Sequence, residues 1–346
     1  MPSPFMPSPF RLSGVLWLAI LGLLPGAGLT VAAAHTPEDL KGKTLSIYIP
    51  FAQAGGYDQY ARLFARHVGR HLPGHPTVIP VNMPGANGLV GANYLYSTAP
   101  KDGTAIGLLY QAIAQDQVVL GSKVQYDVRQ FNWIGRITST AEILYAWHRV
   151  PVKRIEDLTK RELIVAAAGP LVSVYARLLN ASTGARFRIV RGYKGTQEIH
   201  IALERGEVEA AYSSLSTIRA GWSRWLENRE INILVQTVPE RHPDLAQVPA
   251  IAEFAKTDGD RQMMNFFASA GTIGRAIVAP PGLSPERLAM LRAAFWATMK
   301  DQQFLADARQ MKLDVEPMSG EDLRRIAETI VAIGPAERER VIEMMK

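Results

Sequence analysis

This sequence predicts an α/β fold of two lobes, and three observations support it. Apolar strands alternate with amphipathic helices through the first part of the chain, the alternation resumes after a break in the middle, and 346 residues suffice for two ordinary cores.

The start of the chain carries a leader rather than fold. Met-Pro-Ser-Pro-Phe occurs twice in the first ten residues, and an apolar run from Val15 to Leu24 follows Arg11. That run is shorter than the roughly 20 residues a membrane span needs, and Ala32-x-Ala34 suits a signal-peptide cleavage site. Export to the periplasm with cleavage near Ala34 is therefore expected, an uncleaved membrane anchor being the rival. The chain has 0 cysteines, which excludes a lipoprotein anchor, a thiol nucleophile and a thiolate metal site. Loss of Arg11 with the leader lowers Lys+Arg from 38 to 37 against 32 acidic residues, so the net charge falls from +6 to +5. This modest excess favours anionic small ligands or an acidic partner. No arginine-rich stripe with interleaved aromatics is present, so no nucleic-acid partner is expected.

Leu45 to Pro50 reads as the first strand, and the turn Phe51-Ala52-Gln53-Ala54-Gly55-Gly56-Tyr57-Asp58 leads into a helix from about Gln59. The glycine pair is expected to take positive φ and Asp58 to cap the helix, whose stripe is Tyr60, Leu63, Phe64 and Val68. Such a helix start offers unsatisfied N–H groups to a carboxylate or phosphate. Pro76 to Met83 reads as the second strand. The turn Pro84-Gly85-Ala86-Asn87-Gly88 then opens a helix that ends before Pro100. Its glycines fall at every third position (Gly85, Gly88, Gly91), unlike the dinucleotide fingerprint, so no nicotinamide or other cofactor is expected. Thr104 to Tyr110 is the third strand, ending at Gln111. Parallel strands of this kind bring their carboxyl ends, and the turns after them, to one edge.

Strands are expected between Phe131 and Trp147, and the strand–helix pattern then recurs. Leu163 to Ala168 precedes the Gly169-Pro170 turn and a helix from about Ser173 to Thr183. Phe187 to Val190 precedes Arg191-Gly192-Tyr193-Lys194-Gly195, and Glu209 to Tyr212 ends in Ser213-Ser214. Ile231 to Gln236 reads as a strand, Ala250 to Lys256 as a helix, and Ile273 to Ala279 as a returning strand, with helices at about Ser284–Lys300, Gln302–Lys312 and Gly320–Ile333.

The order of these motifs resembles the receptors of tripartite tricarboxylate transporters, the TctC/Bug family of periplasmic solute-binding proteins. The residues that carry the resemblance are Gly55-Gly56 with Asp58 and Ala61-Arg62-Leu63, Asn82-Met83-Pro84-Gly85-Ala86-Asn87-Gly88, and Ala99-Pro100-Lys101-Asp102-Gly103-Thr104. Tyr193-Lys194-Gly195, Ala279-Pro280-Pro281-Gly282 and Asp314-Val315-Glu316-Pro317 extend it over nearly the whole mature chain.

The resemblance implies a type II-like Venus flytrap, each lobe a mostly parallel sheet flanked by helices. Residues 1–34 would be leader, 35–139 with 273–346 the first lobe, and 140–272 the second, the chain crossing near Ser139–Ile143 and Ser269–Ile273. It implies a small organic carboxylate in the cleft, a membrane permease as partner, and a monomer that carries out no catalysis. On the first lobe the expected contacts are Phe51, Ala54, Gly55, Gly56, Tyr57, Asp58, Gly85, Ala86, Asn87, Tyr110 and Gln111. On the second they are Gly169, Pro170, Ser173, Tyr193, Lys194, Ser213 and Ser214. Two departures from the family pattern stand out. One residue rather than two separates Gly56 from Asp58, and Pro170-Leu171 removes a donor and adds bulk, which points to a ligand less polar than a dicarboxylate.

Each feature has a plainer alternative. Lys194 is either a rim cation or a solvated lysine, and Phe51, Tyr57 and Tyr110 are either a wall for the ligand or ordinary packing. His67 and His71 share a helix face, as zinc ligands can, but lie at a helix carboxyl end that suits cationic histidines. Neither G-x-S-x-G nor S-x-x-K occurs, which disfavours an enzyme. A signalling partner would use the same clamp.

Overall fold

The computed structural model describes residues 39–167, 171–193 and 195–345, so the predicted leader lies outside the described residues. Strand β1 (Thr44–Ile49) shows the period-two alternation of a half-buried strand, with Leu45, Ile47 and Ile49 fully buried. They share a core with Tyr60, Leu63 and Phe64 of α1 (Gly56–Val68). Each such side chain contributes about 1.5–3 kcal/mol by leaving water. The unit repeats as β2 (Thr77–Asn82), α2 (Leu89–Ser97) and β3 (Ala105–Leu108), and β1 pairs in parallel with both β2 and β3. Helix α3 (Ile113–Leu120) and strand β4 (Asn132–Arg136) follow.

The second sheet begins at β5 (Glu142–Trp147) and continues through β6 (Glu162–Ala167), α4 (Leu171–Thr183), β7 (Arg186–Arg191) and α5 (Thr196–Glu204). It is completed by β8 (Ala210–Ser214), α6 (Leu215–Glu227) and β9 (Ile231–Gln236). Helices α7 (Asp258–Ala268) and α8 (Ala270–Ile273) lead back to β10 (Ala276–Ala279) in the first sheet. The chain ends with α9 (Pro285–Lys300), α10 (Gln302–Gln310), β11 (Met318–Ser319), α11 (Gly320–Val331) and α12 (Pro335–Met345).

Strand order is β11-β4-β10-β3-β1-β2 in the first sheet and β7-β6-β8-β5-β9 in the second. Most strands of each sheet run in one direction, as the sequence predicts, with β10, β11 and β5 opposed to the rest. The strand that follows each crossing runs against its neighbours: β5 is antiparallel to β8 and β9, and β10 to β3 and β4. Where the chain passes between the sheets, its two segments pair with each other. Thr140 N donates to Gly271 O at 2.9 Å, Arg275 N to Thr138 O at 3.0 Å and Ile137 N to Arg275 O at 3.0 Å. Gly274 has φ +55°, and a Cβ there would lie 2.2 Å from Thr138 O, so only glycine permits this approach.

Three local expectations need correction. The helix read at Ala250–Lys256 is a short 3₁₀ turn at Ile251–Phe254, and α7 and α8 occupy residues to which the sequence reading assigns no helix. Thr257 caps α7 by accepting from Asp260 N, a signal masked in the sequence by the polar Asp-Gly-Asp start. Ile273 ends α8 instead of opening the returning strand.

His67 and His71 face carboxylates of the α10 region: His67 Nε2 lies 3.0 Å from Asp307 and His71 Nε2 2.7 Å from Asp301. Arg70 also pairs with Asp301, and the hydrogen bonds from His71 and Arg70, outweighing burial, hold the Asp301 carboxyl far below the usual carboxylate range.

Candidate functional site

The turn after β1 differs from its sequence reading in a way that determines the site. Helix α1 begins at Gly56, with Gly55 as its cap at φ −82°, and the residue at positive φ is Ala54 (65°). Asp58 is therefore in the first turn and not the cap. Its carboxylate accepts from Ala54 N, Arg62 Nε and Asn82 Nδ2, each at 2.9 Å. Burial, the largest influence on Asp58, raises its pKa, but these three donors together outweigh it and hold the carboxyl below its ordinary value. Asp58 thus tightens the Ala54 turn and ties it to the end of β2. No acceptor among the described residues takes the N–H groups of Gly56, Tyr57 or Asp58, so these remain for a ligand or solvent.

A cavity of about 300 Å³ lies between the two sheets, at the carboxyl ends of the parallel strands. Of the residues expected as contacts, Phe51, Gly55, Gly56, Tyr57, Asn87, Tyr110, Gln111, Ser213 and Ser214 line it. Ala54, Asp58, Gly85, Ala86, Ser173 and Tyr193 are not on its wall. The Ser173 hydroxyl instead accepts from Arg191 Nη2 at 2.6 Å, and Tyr193 packs on the core of the second lobe. Gly169, Pro170 and Lys194 lie outside the described residues.

Phe51 sits 4.8 Å from Tyr57 and 5.7 Å from Tyr110, ring centre to ring centre, so these aromatics both pack together and form one wall. The opposite wall carries Leu171, Val172 and Tyr175 of α4, and Thr196 and Gln197 open α5 beside it.

Arg275 reaches this space from the second crossing. It is 3% exposed, and its guanidinium carbon stands 4.0 Å from the centre of the Tyr57 ring. Nη2 donates to Ser214 Oγ at 3.2 Å and Nη1 to Gln111 Oε1 at 3.4 Å. Gln111 is itself fixed: its Oε1 accepts from Thr140 Oγ1 at 2.6 Å, its N–H donates to the Tyr57 hydroxyl at 2.9 Å, and its Nε2 donates to Glu142 Oε1 at 3.2 Å. Burial raises the Glu142 pKa, opposed by Arg275 and the Gln111 amide. Three buried polar atoms of residues that line the cavity have no hydrogen-bond partner among the described residues: Tyr212 Oη, Ser213 Oγ and Arg275 Nε. Orphaned polar atoms are costly in an interior, and several in the wall of one cavity point to a ligand site. Among the described residues no group of three or more His, Asp or Glu could hold a metal ion.

Residues 61–340 match the sequence family of the tripartite tricarboxylate transporter receptors (TctC). The chain belongs to that family. Relatives include the UPF0065 protein of the tcbD–tcbE intergenic region of Pseudomonas sp. (strain P51), 24% identical over 75% of this chain and 82% of the relative. Another is the protein of the gbd 5′ region of Cupriavidus necator, 23% identical over 84% of each. Solved structures share the fold. A Rhodopseudomonas palustris protein with adipate has a TM-score of 0.66 at 23% identity, covering 87% of this chain and 97% of that one. The periplasmic binding protein BugD has 0.66 at 20% identity over 87% and 97%, and the malate-bound protein MatC of Rhodopseudomonas palustris 0.65 at 20% over 88% and 99%.

Two charged wall residues of this TctC receptor, Glu142 and Arg275, escape sequence reasoning. Each is a single charge inside an apolar run, Thr140-Ala141-Glu142-Ile143-Leu144 and Gly274-Arg275-Ala276-Ile277, and that was the available signal. The receptor's glycine pair also works differently from expectation. A Cβ on Gly56 would come 2.5 Å from Thr217 Oγ1 of α6 and 3.4 Å from Arg275 Nη2, whereas one on Gly55 meets little. Gly56 thus lets α1 and α6 close on each other. Gly56→Ala is expected to weaken ligand binding about tenfold, an overpacking cost of about 1–2 kcal/mol, and Thr217→Ala in the same chain to restore most of it. Titration of both variants checks this; an equal loss at Gly55→Ala would argue against it.

Proposed function

We propose that this receptor captures a small organic carboxylate between its lobes in the periplasm and delivers it to the membrane permease of a tripartite transporter, without chemical change. The observation that carries this is a convergence on one cavity. The open first-turn amides of α1, the amino-terminal turn of α5 and the buried Arg275 all face it. Helix amino termini and a guanidinium are both donors to an anion, and their fields add. The cavity volume of about 300 Å³ is at the small end of ligand pockets, in keeping with a short-chain acid. Two proteins of the same fold hold adipate and malate. No described helix is long and apolar enough to cross a membrane, which fits a receptor that meets its permease from outside the bilayer.

Binding by preformed donors and lobe closure needs no nucleophile or general base. Isothermal titration of the chain from residue 35 with acids of three to six carbons is expected to find micromolar binding by at least one, with compaction seen by small-angle scattering. Binding of neutral or cationic solutes alone would reject the proposal.

A further inference from the structure

A buried cation, Arg275, and a half-buried carboxylate, Glu142, stand in the cavity wall without touching. The Gln111 side-chain amide is inserted between them: its Nε2 donates to Glu142 Oε1 at 3.2 Å, and its Oε1 accepts from Arg275 Nη1 at 3.4 Å. Opposite charges that share a low-dielectric wall attract each other. Here Thr140 and the Tyr57 hydroxyl fix Gln111, and each charge keeps an unused hydrogen-bonding atom. Arg275 Nε has no partner, and no described residue donates to Glu142 Oε2.

The second sheet extends this pattern. Glu142 pairs with Ser214 and Leu144 with Tyr212 across β5 and β8, so Glu142 and Tyr212 share one face of the ladder. Tyr212 lines the cavity and its hydroxyl lacks a partner among the described residues, while Ser213, opposite Ile143, belongs to the other face. An anion is welcome beside Arg275 and the α1 amides. A second anionic group placed by Glu142 meets a carboxylate in a low-dielectric wall. An ammonium there finds the free Glu142 oxygen and, on the same face of the sheet, the Tyr212 hydroxyl, both acceptors for its N–H donors.

We infer that the cavity selects an amino carboxylate, the ligand's carboxylate lying on the α1 amides and Arg275 and its ammonium on Glu142. This rests on the carboxylate-receptor proposal above and adds a second, cationic requirement.

The test titrates the chain from residue 35 at pH 7 with four series of three to six carbons: α-amino acids, ω-amino acids, diacids and unsubstituted monoacids. The tightest ligand is expected to be an amino carboxylate, with an affinity at least about tenfold above that of the diacid or monoacid of equal length. Glu142→Gln is expected to cut that preference by about 10- to 100-fold. The wild-type ranking decides even where the variant folds poorly. A diacid or monoacid as the tightest ligand overturns the inference and leaves the carboxylate receptor standing. Failure of all four series overturns both.

Discussion

Arg275→Gln is expected to lower carboxylate affinity by about 2–5 kcal/mol, the cost of truncating one member of a buried charged network. That corresponds to roughly 30- to 5,000-fold in Kd. Three losses add. The ligand loses its guanidinium donors, Tyr57 loses the cation stacked at 4.0 Å, and Glu142 loses the nearby positive charge that opposes the effect of its burial. The last effect raises the Glu142 pKa further, so the variant is expected to take up a proton at a higher pH than the parent chain. Arg275→Lys separates charge from geometry. It keeps the positive charge but not the planar fork that reaches Ser214 and Gln111 together, and an intermediate affinity is expected. Titration calorimetry with the best-bound acid, with a thermal melt to confirm folding, measures both. A folded Arg275→Gln chain that binds as tightly as the parent would remove Arg275 from the site.

The contrast between Arg275 and the glycine turns shows what a sequence of this kind makes legible. Strand, turn and helix start are local, so Phe51, Gly55, Gly56, Tyr57, Tyr110, Gln111, Ser213 and Ser214 can be placed at strand carboxyl ends from strand order alone, and they line the cavity. Glu142 opens β5 and Arg275 immediately precedes β10, and their meeting with Gln111 depends on contacts across 31 and 164 residues. Local pattern carries no such information. Asp58 fails for the same reason in reverse: its position suggests a cap or a ligand, but Asn82, 24 residues away, and Arg62 claim its oxygens. Gly56 was legible as special, while its cause, the hydroxyl of Thr217 on the other lobe, was not.

Asp116 supplies the other large effect, and it concerns stability. It lies in α3, 5% exposed, and burial alone raises its pKa to about 7 from an ordinary 3.8. The folded chain therefore holds a proton that the unfolded chain releases more readily. The sign follows: as pH rises above 3.8 the unfolded state gains by ionising first, so stability falls until about pH 7 and then levels off. The total is about 4 kcal/mol at 1.36 kcal/mol per unit. Asn is neutral at every pH and nearly the same size, so Asp116→Asn is expected to match the parent near pH 4 and exceed it by about that amount at pH 8. His200 works in the opposite direction. Buried beside Tyr145, its pKa is lowered from 6.5 to about 3, which costs stability as pH falls below 6.5. Since both chains carry His200, its contribution cancels in their difference. Urea midpoints of the two chains from pH 4 to 8 measure that difference directly, and parallel curves would show that the folded protein tolerates the Asp116 charge.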